Sequence, residues 1–205
     1  MTQLAVDCSF TGLSLALKTG TQTHVFSTAT ARSSDLLPTE LQNILIKSGT
    51  AAADITDIYV TTGPGSFTGI RLGLATAEAL KLVNPAINIT GLSTLHALAI
   101  QIKTDHKPAN SFTVVLDAAG GQLYTQNFNS QAQPESPAAC IPLGQLPVTS
   151  HQSFLFAQQS LMLPLPAMAL ESFSAAHLFT LAENPAAHLP AQPVYLKPLT
   201  YKLAP

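Results

Sequence analysis

Twice along this chain an apolar run ends in an aspartate, turns on small residues, and is answered by a strand of alternating character. Leu4-Ala5-Val6-Asp7 leads through Gly12 to Leu13-Ser14-Leu15-Ala16-Leu17. Phe112-Thr113-Val114-Val115-Leu116-Asp117 leads through Gly120-Gly121 to Gln122-Leu123-Tyr124-Thr125-Gln126-Asn127-Phe128. Alternation with period two is the mark of a half-buried strand. Each unit therefore reads as a hairpin whose first strand ends in a carboxylate. A chain that repeats this unit at its start and again near its middle is constrained to a duplicated fold. No shorter period of solenoid type competes with it.

The elements between the two hairpins fill in an α/β pattern. Thr23-His24-Val25-Phe26-Ser27 predicts a third strand of a meander, after the turn at Gly20. Leu36, Leu37, Leu41, Ile44 and Leu45 recur at helical spacing and predict an amphipathic helix over 35–48, with Pro38 in its first turn and Gly49 at its end. A buried strand follows at 58–62, a helix at 66–83, a strand at 87–90 and a helix at 93–102 capped by Ser93. The composition shifts near residue 107. Only Pro38, Pro64 and Pro85 of the 15 prolines precede it, and no Lys or Arg occurs between Lys107 and Lys197. The boundary divides the chain into residues 1–105 and 106–205. The second part is thinner: strands at 154–156 and 194–196, a helix over 174–182, and an irregular proline-rich stretch over 134–147.

Composition excludes several classes. Apolar residues make up 46% and charged residues 10% of the 205, too apolar for a solvated disordered chain. Nine basic and 11 acidic residues give a net charge of −2, which argues against a domain that grips nucleic acid unaided. Two cysteines, Cys8 and Cys140, make no disulfide framework, and a reducing compartment is expected. The first residues carry no basic leader and reach Asp7 at once, so no signal peptide is expected. No apolar run approaches the ~20 residues of a membrane span. The expected location is the cytoplasm.

The most distinctive string is Gly63-Pro64-Gly65-Ser66-Phe67-Thr68-Gly69-Ile70-Arg71-Leu72-Gly73. It predicts a strand-to-helix turn whose bare amides, at a helix N-terminus, suit an anion. A tight turn with Ser66 as N-cap explains the same residues. It is not a P-loop, a dinucleotide fingerprint or a nucleophile elbow, because the required Lys, third Gly and Gly-x-Ser-x-Gly frame are missing. Beyond the turn, Gly69, Gly73 and Ala77 share one helix face. Glycines inside a helix cost up to ~1 kcal/mol each against Ala. They imply close approach of another backbone, either the chain's own sheet or a partner. Asp7 and Asp117, at equivalent strand ends, are candidates to hold a hydrated metal–phosphate. No metal site is expected, since neither the cysteines nor His24, His96, His106, His151, His177 and His188 show ligand spacing. His96, flanked by Leu95, Ala97 and Leu98, is expected in or beside the core.

With these residues in place the chain resembles the bacterial TsaB family, also called YeaZ. The string GPGSFTGIRLG is the specific part. The opening LAVDCSFTGLSLAL, the helix LLPTELQNIL, Gly91-Leu92-Ser93-Thr94-Leu95, the 117–124 hairpin and Pro193-Val194-Tyr195-Leu196 fall in the same order over most of the chain. The resemblance implies an actin-like, sugar-kinase-like (ASKHA) fold of two βββαβα lobes, here with the second lobe reduced. It also implies a non-catalytic partner of the metal-bearing catalytic subunit TsaD, acting with the ATPase TsaE to place threonylcarbamoyl on adenosine in tRNAs that read codons starting with A. The implied interface is a bundle of the first two helices, through Leu41, Leu45, Gly69, Ile70, Gly73, Leu74, Ala77 and Leu80, and the same face would form a homodimer. Asp7 and Asp117 would then be a vestigial phosphate site. No cofactor is expected on the isolated chain, with ATP or ADP confined to the assembled complex, and tRNA would be met only through that complex.

This sequence departs from the family pattern at Arg32, where many members have His, and at Ala119 and Gln122, where Arg and Glu are common. It also lacks a later glycine-rich adenosine-binding segment. Two other classes remain open: a small ATP-dependent phosphotransferase resting on Asp7 and Asp117, and a glycoprotease-like peptidase.

Overall fold

The structure, a computed structural model, describes residues 1–10, 12–29, 32–147, 152–156 and 166–197. The chain opens with β1 (Thr2–Asp7), β2 (Leu13–Thr19) and β3 (Gln22–Thr28), then α1 (Ser33–Ser48), β4 (Asp57–Gly63), α2 (Phe67–Val83), β5 (Asn88–Ser93) and α3 (Thr94–Asp105). It continues with β6 (Phe112–Asp117), β7 (Gln122–Phe128), β8 (Ala139–Pro142), β9 (Gln152–Phe156), β10 (Ala167–Ala169) and α4 (Ala176–Ala182).

The strands form two five-stranded mixed sheets, ordered β3-β2-β1-β4-β5 and β10-β9-β6-β7-β8. In each, the first three strands pair antiparallel as a meander, and the last two add parallel beside the first strand. Read from the third strand of each set, the two orders are the same. This is a duplicated α/β arrangement, with Asp7 and Asp117 ending equivalent central strands.

Side-chain alternation separates the layers. On β1, Leu4 and Val6 point to one face, where they join Leu37 and Ile44 of α1 and Ile70, Leu74, Ala77 and Leu80 of α2. Ala5 points to the other face, toward α3, α4 and the second sheet. On β6, Phe112, Val114 and Leu116 point back into that shared core, while Val115 faces outward with Leu123, Leu146 and Leu155. Helix α3 is buried without a break from Thr94 to Ile102. It packs on β4, β5, β6 and β7, and α4 packs on α3 and on β1, β2, β4 and β5. Buried on all sides, α3 is the middle layer between the two sheets, with Thr94, His96 and Gln101 as its buried polar residues.

Three details differ from the sequence expectation. The proline-rich stretch contributes β8, because Ala139-Cys140-Ile141 pairs with β7 before Pro142 closes the edge. A short β10 adds beside β9. Residues 194–196 form no strand; they run as an extended strap held by isolated contacts. Where the first half lays α1 and α2 over its sheet, the second has between β8 and β9 only a 3₁₀ turn, Leu143–Gln145, among the described residues.

Candidate functional site

The glycine-rich turn is built to meet the first hairpin. Ser66 caps α2, its Oγ accepting from the Gly69 N–H at 3.2 Å. The Ser66 N–H donates to the Ser9 carbonyl at 2.7 Å. A Cβ on Gly65 would stand 2.4 Å from that carbonyl oxygen, and one on Gly69 would stand 1.8 Å from the Cys8 oxygen. No side chain fits either gap. The amides that the sequence offers to an anion are here turned, at Ser66 and Gly69, onto the chain's own atoms.

The same helix turns most of the expected docking residues inward. Gly69, Ile70, Gly73, Leu74, Ala77 and Leu80 are the buried residues of α2. They pack on Val6, Val60 and the rest of the chain's own first sheet. The close approach that the glycines permit is internal. Leu41 and Leu45 are half-buried against the same cluster. The outward side of α2 carries apolar residues among polar ones: Phe67 is 46%, Val83 60% and Leu82 86% exposed, with Ala75 and Ala79 also open, beside the exposed Thr68, Arg71 and Glu78. On α1, Ile46 is 69% exposed. Because β4 and β5 run parallel, the C-terminal ends of α1 and α2, which carry Ile46 and Leu82, lie at the same end of the sheet.

The two aspartates share a topological position and little else. Asp7 is 1% exposed. Its Oδ1 accepts from the Ser9 N–H at 3.2 Å, the Ser9 hydroxyl at 2.5 Å and the Thr61 hydroxyl at 2.7 Å. Burial pushes its carboxyl above the usual range, and these three bonds pull against that rise. Asp117 is half-buried, and its Oδ1 accepts from the Ala119 N–H at 2.8 Å, the side-chain turn that aspartate commonly makes. Between the hairpins lies a cleft of about 230 Å³, walled by Ser9, Phe10 and Ser66 on one side and Asp117, Tyr124 and Phe156 on the other. Asp7 sits behind Ser9 and does not line it. No Lys, Arg or His lines it among the described residues. Those residues also contain no group of three metal-ligating side chains; His151 lies outside them.

Sequence reasoning missed the contacts across the mouth of the α2 turn. Phe67 stacks on Tyr195 at 5.0 Å between centroids, the Arg71 guanidinium lies 3.8 Å over the Phe67 ring, and Arg71 Nε donates to the Tyr195 hydroxyl at 2.9 Å. An aromatic residue directly after a cap was the local signal.

The arrangement has known counterparts. The solved structure of YeaZ from Pseudomonas aeruginosa superimposes with a TM-score of 0.78, covering 95% of this chain and 99% of that one at 22% identity. At that identity the likeness speaks for the fold. The TsaB protein of Escherichia coli K12, described as a tRNA threonylcarbamoyladenosine biosynthesis protein, is 33% identical over 126 residues, 61% of this chain and 54% of that protein. Its Haemophilus influenzae counterpart is 29% identical over 127 residues, 60% and 52%. The match thus spans about half the length of these curated relatives. A family model described as TsaD, tRNA N6-adenosine threonylcarbamoyltransferase, matches residues 24–184. The chain belongs to this family, as a TsaB-type member.

For a TsaB-type chain the altered second hairpin has a clear geometry. Ala119 takes a left-handed φ of 55°, followed by Gly120 at 66° and Gly121 at 73°. Lys197 Nζ donates to the Ala118 and Ala119 carbonyls, both at 3.0 Å. The ammonium of a distant lysine thus sits on the turn of this TsaB-type hairpin.

Proposed function

We propose that the chain is a non-catalytic scaffold subunit in tRNA threonylcarbamoyladenosine biosynthesis and docks on the catalytic subunit TsaD. The observation that carries the reading is the set of exposed apolar side chains at the C-terminal ends of the first two helices, Leu82 and Val83 on α2 with Ile46 on α1, with Phe67, Ala75 and Ala79 exposed further along α2. Large apolar side chains left exposed together on a folded protein mark an interaction site. The docking surface is this outward side, with Leu41 and Leu45 at its half-buried margin, in place of the glycine face. The same side serves a homodimer when TsaD is absent. TsaE, nucleotide and tRNA join at the assembled complex, in the cytoplasm, and the division of labour leaves the chemistry to TsaD. The closed turn at Ser66 and the lack of a cationic lining in the cleft weigh against a phosphotransferase.

The test is Leu82→Glu, with circular dichroism to establish an intact fold. Placing a charge at the centre of an apolar contact should lower affinity for TsaD at least tenfold by calorimetry, on the scale of an interface hot spot. Asp7→Asn and Asp117→Asn should bind as wild type. Full-strength binding by Leu82→Glu, or ATP turnover by the purified chain that either Asp→Asn change abolishes, would overturn the reading.

A further inference from the structure

Residues 189–197 run from contacts with the first half of the molecule to the β6–β7 turn of the second. The crossing begins where the chain has already returned to the first half. Ser27 Oγ donates to the Phe173 carbonyl at 2.6 Å, Gln101 Nε2 to the Ser172 carbonyl at 2.8 Å, and the Ala175 N–H to Ser14 Oγ at 2.8 Å. After α4, Leu189 and Gly91 exchange backbone hydrogen bonds at 2.9 and 3.0 Å. The Val194 N–H donates to the Thr62 carbonyl at 2.8 Å. Tyr195 then locks onto Phe67 and Arg71. The seat is made for this path. A Cβ on Gly91 would lie 2.5 Å from the Pro190 oxygen, and one on Gly63 would lie 2.5 Å from the Val194 oxygen.

The last described residue of the crossing reaches the other half. Lys197 Nζ bonds two carbonyls of the β6–β7 turn, and Ala119 there is held in a left-handed conformation that a residue with a Cβ rarely adopts. An ammonium held by two carbonyl oxygens is a charge-assisted contact, stronger than a neutral one. It is also the point at which the crossing segment touches a turn facing Asp7's half across the cleft.

We propose that residues 189–197 form a clasp that fixes the two halves in one setting across the cleft, anchored in the first half by Gly91, Thr62 and the Phe67–Arg71 pair and latched to the second by Lys197. With the latch closed, the cleft does not work as a hinge. The walls that carry Ser66 and Asp117 keep a constant separation, and the outward side of α2 is presented as a rigid surface continuous with the strap through Tyr195.

The test is hydrogen exchange, read by mass spectrometry, on the full chain and two variants. Lys197→Ala should speed exchange of the backbone amides over 118–123 by about tenfold, the scale of one charge-assisted bond, while β1, β4 and α2 keep their protection. Lys197→Arg, which keeps the charge and the donors, should restore slow exchange. Unchanged exchange over 118–123 in Lys197→Ala would overturn the proposal. So would an equal acceleration in β1 and β4, because that would be a general loss of stability with no local latch.

Discussion

A carboxyl group at the end of β1 is surrounded by protein, and its hydrogen bonds decide what it can be replaced by. The raised pKa of Asp7 means that the folded state holds the proton more tightly than the unfolded one. Folding stability from this group is therefore greatest at low pH and falls as pH rises above the unfolded value near 4. Asp7→Asn keeps an oxygen acceptor for Ser9 and Thr61 without the charge, and should raise the urea midpoint at pH 7. Asp7→Ala strands both hydroxyls and should lower stability by about 1–3 kcal/mol. His96 gives the opposite pH dependence. It is 8% exposed, its Nε2 bonds none of the described residues, and burial holds its pKa below the usual value. Its contribution is fully present above pH ~6.5 and is lost as pH falls from there toward the lowered folded pKa. His96→Phe should narrow the gap between urea midpoints measured at pH 7.5 and 5.5. His177, also lowered by burial, leaves part of the gap in place. The sequence made Asp7 and Asp117 look alike because both end apolar strands. What separates them is whether Ser9 and Thr61 close over the carboxylate, which no local pattern encodes.

Helix α2 carries apolar residues on both sides, and this is why periodicity alone did not orient it. The spacing of Gly69, Gly73 and Ala77 correctly implied a close backbone approach. It left open which surface approached, since Ala75, Ala79, Leu82 and Val83 share the exposed side with only Thr68, Arg71 and Glu78 to mark solvent. In the structure Gly73 stands over Val60, where a Cβ would lie 3.3 Å from the valine Cγ2. Gly73→Leu should thus act on the fold before it acts on any partner. Overpacking of this kind costs about 1–3 kcal/mol, and the urea midpoint of the isolated chain should fall. Gly69→Ala should be worse despite its smaller side chain, because the atom in the way is the Cys8 carbonyl, which cannot swing aside. The two strands that sequence reading missed, β8 and β10, are four and three residues long. Runs so short carry too few alternations to register, and Pro142 closes the first.

At the scale of the molecule, the repeated strand–aspartate–turn made the duplication legible, and the thin second half was legible from its loss of helical spacing. The return of the chain was not. Nothing local in residues 189–197 announces that they seat against Thr62 and Gly91, because the complementary features are glycines far away in sequence. We propose that the chain is organised in two parts that meet at residues 105 and 106. This division does not make the first part self-sufficient, since Leu95, Leu98 and Ile102 on α3 share one core with Phe112, Phe128 and Phe154. A fragment of residues 1–105 should therefore show helical circular dichroism without a cooperative urea transition, whereas the full chain unfolds cooperatively. The seat at Gly91 has a further consequence during synthesis. β5 is an edge strand, and unpaired strand edges recruit other chains unless something covers them. The segment that pairs with it at Leu189 is made about a hundred residues later, which at about 5–20 residues per second is on the order of 5–20 s of translation. For that interval each nascent chain carries the edge of β5 uncapped beside its neighbours on the same message.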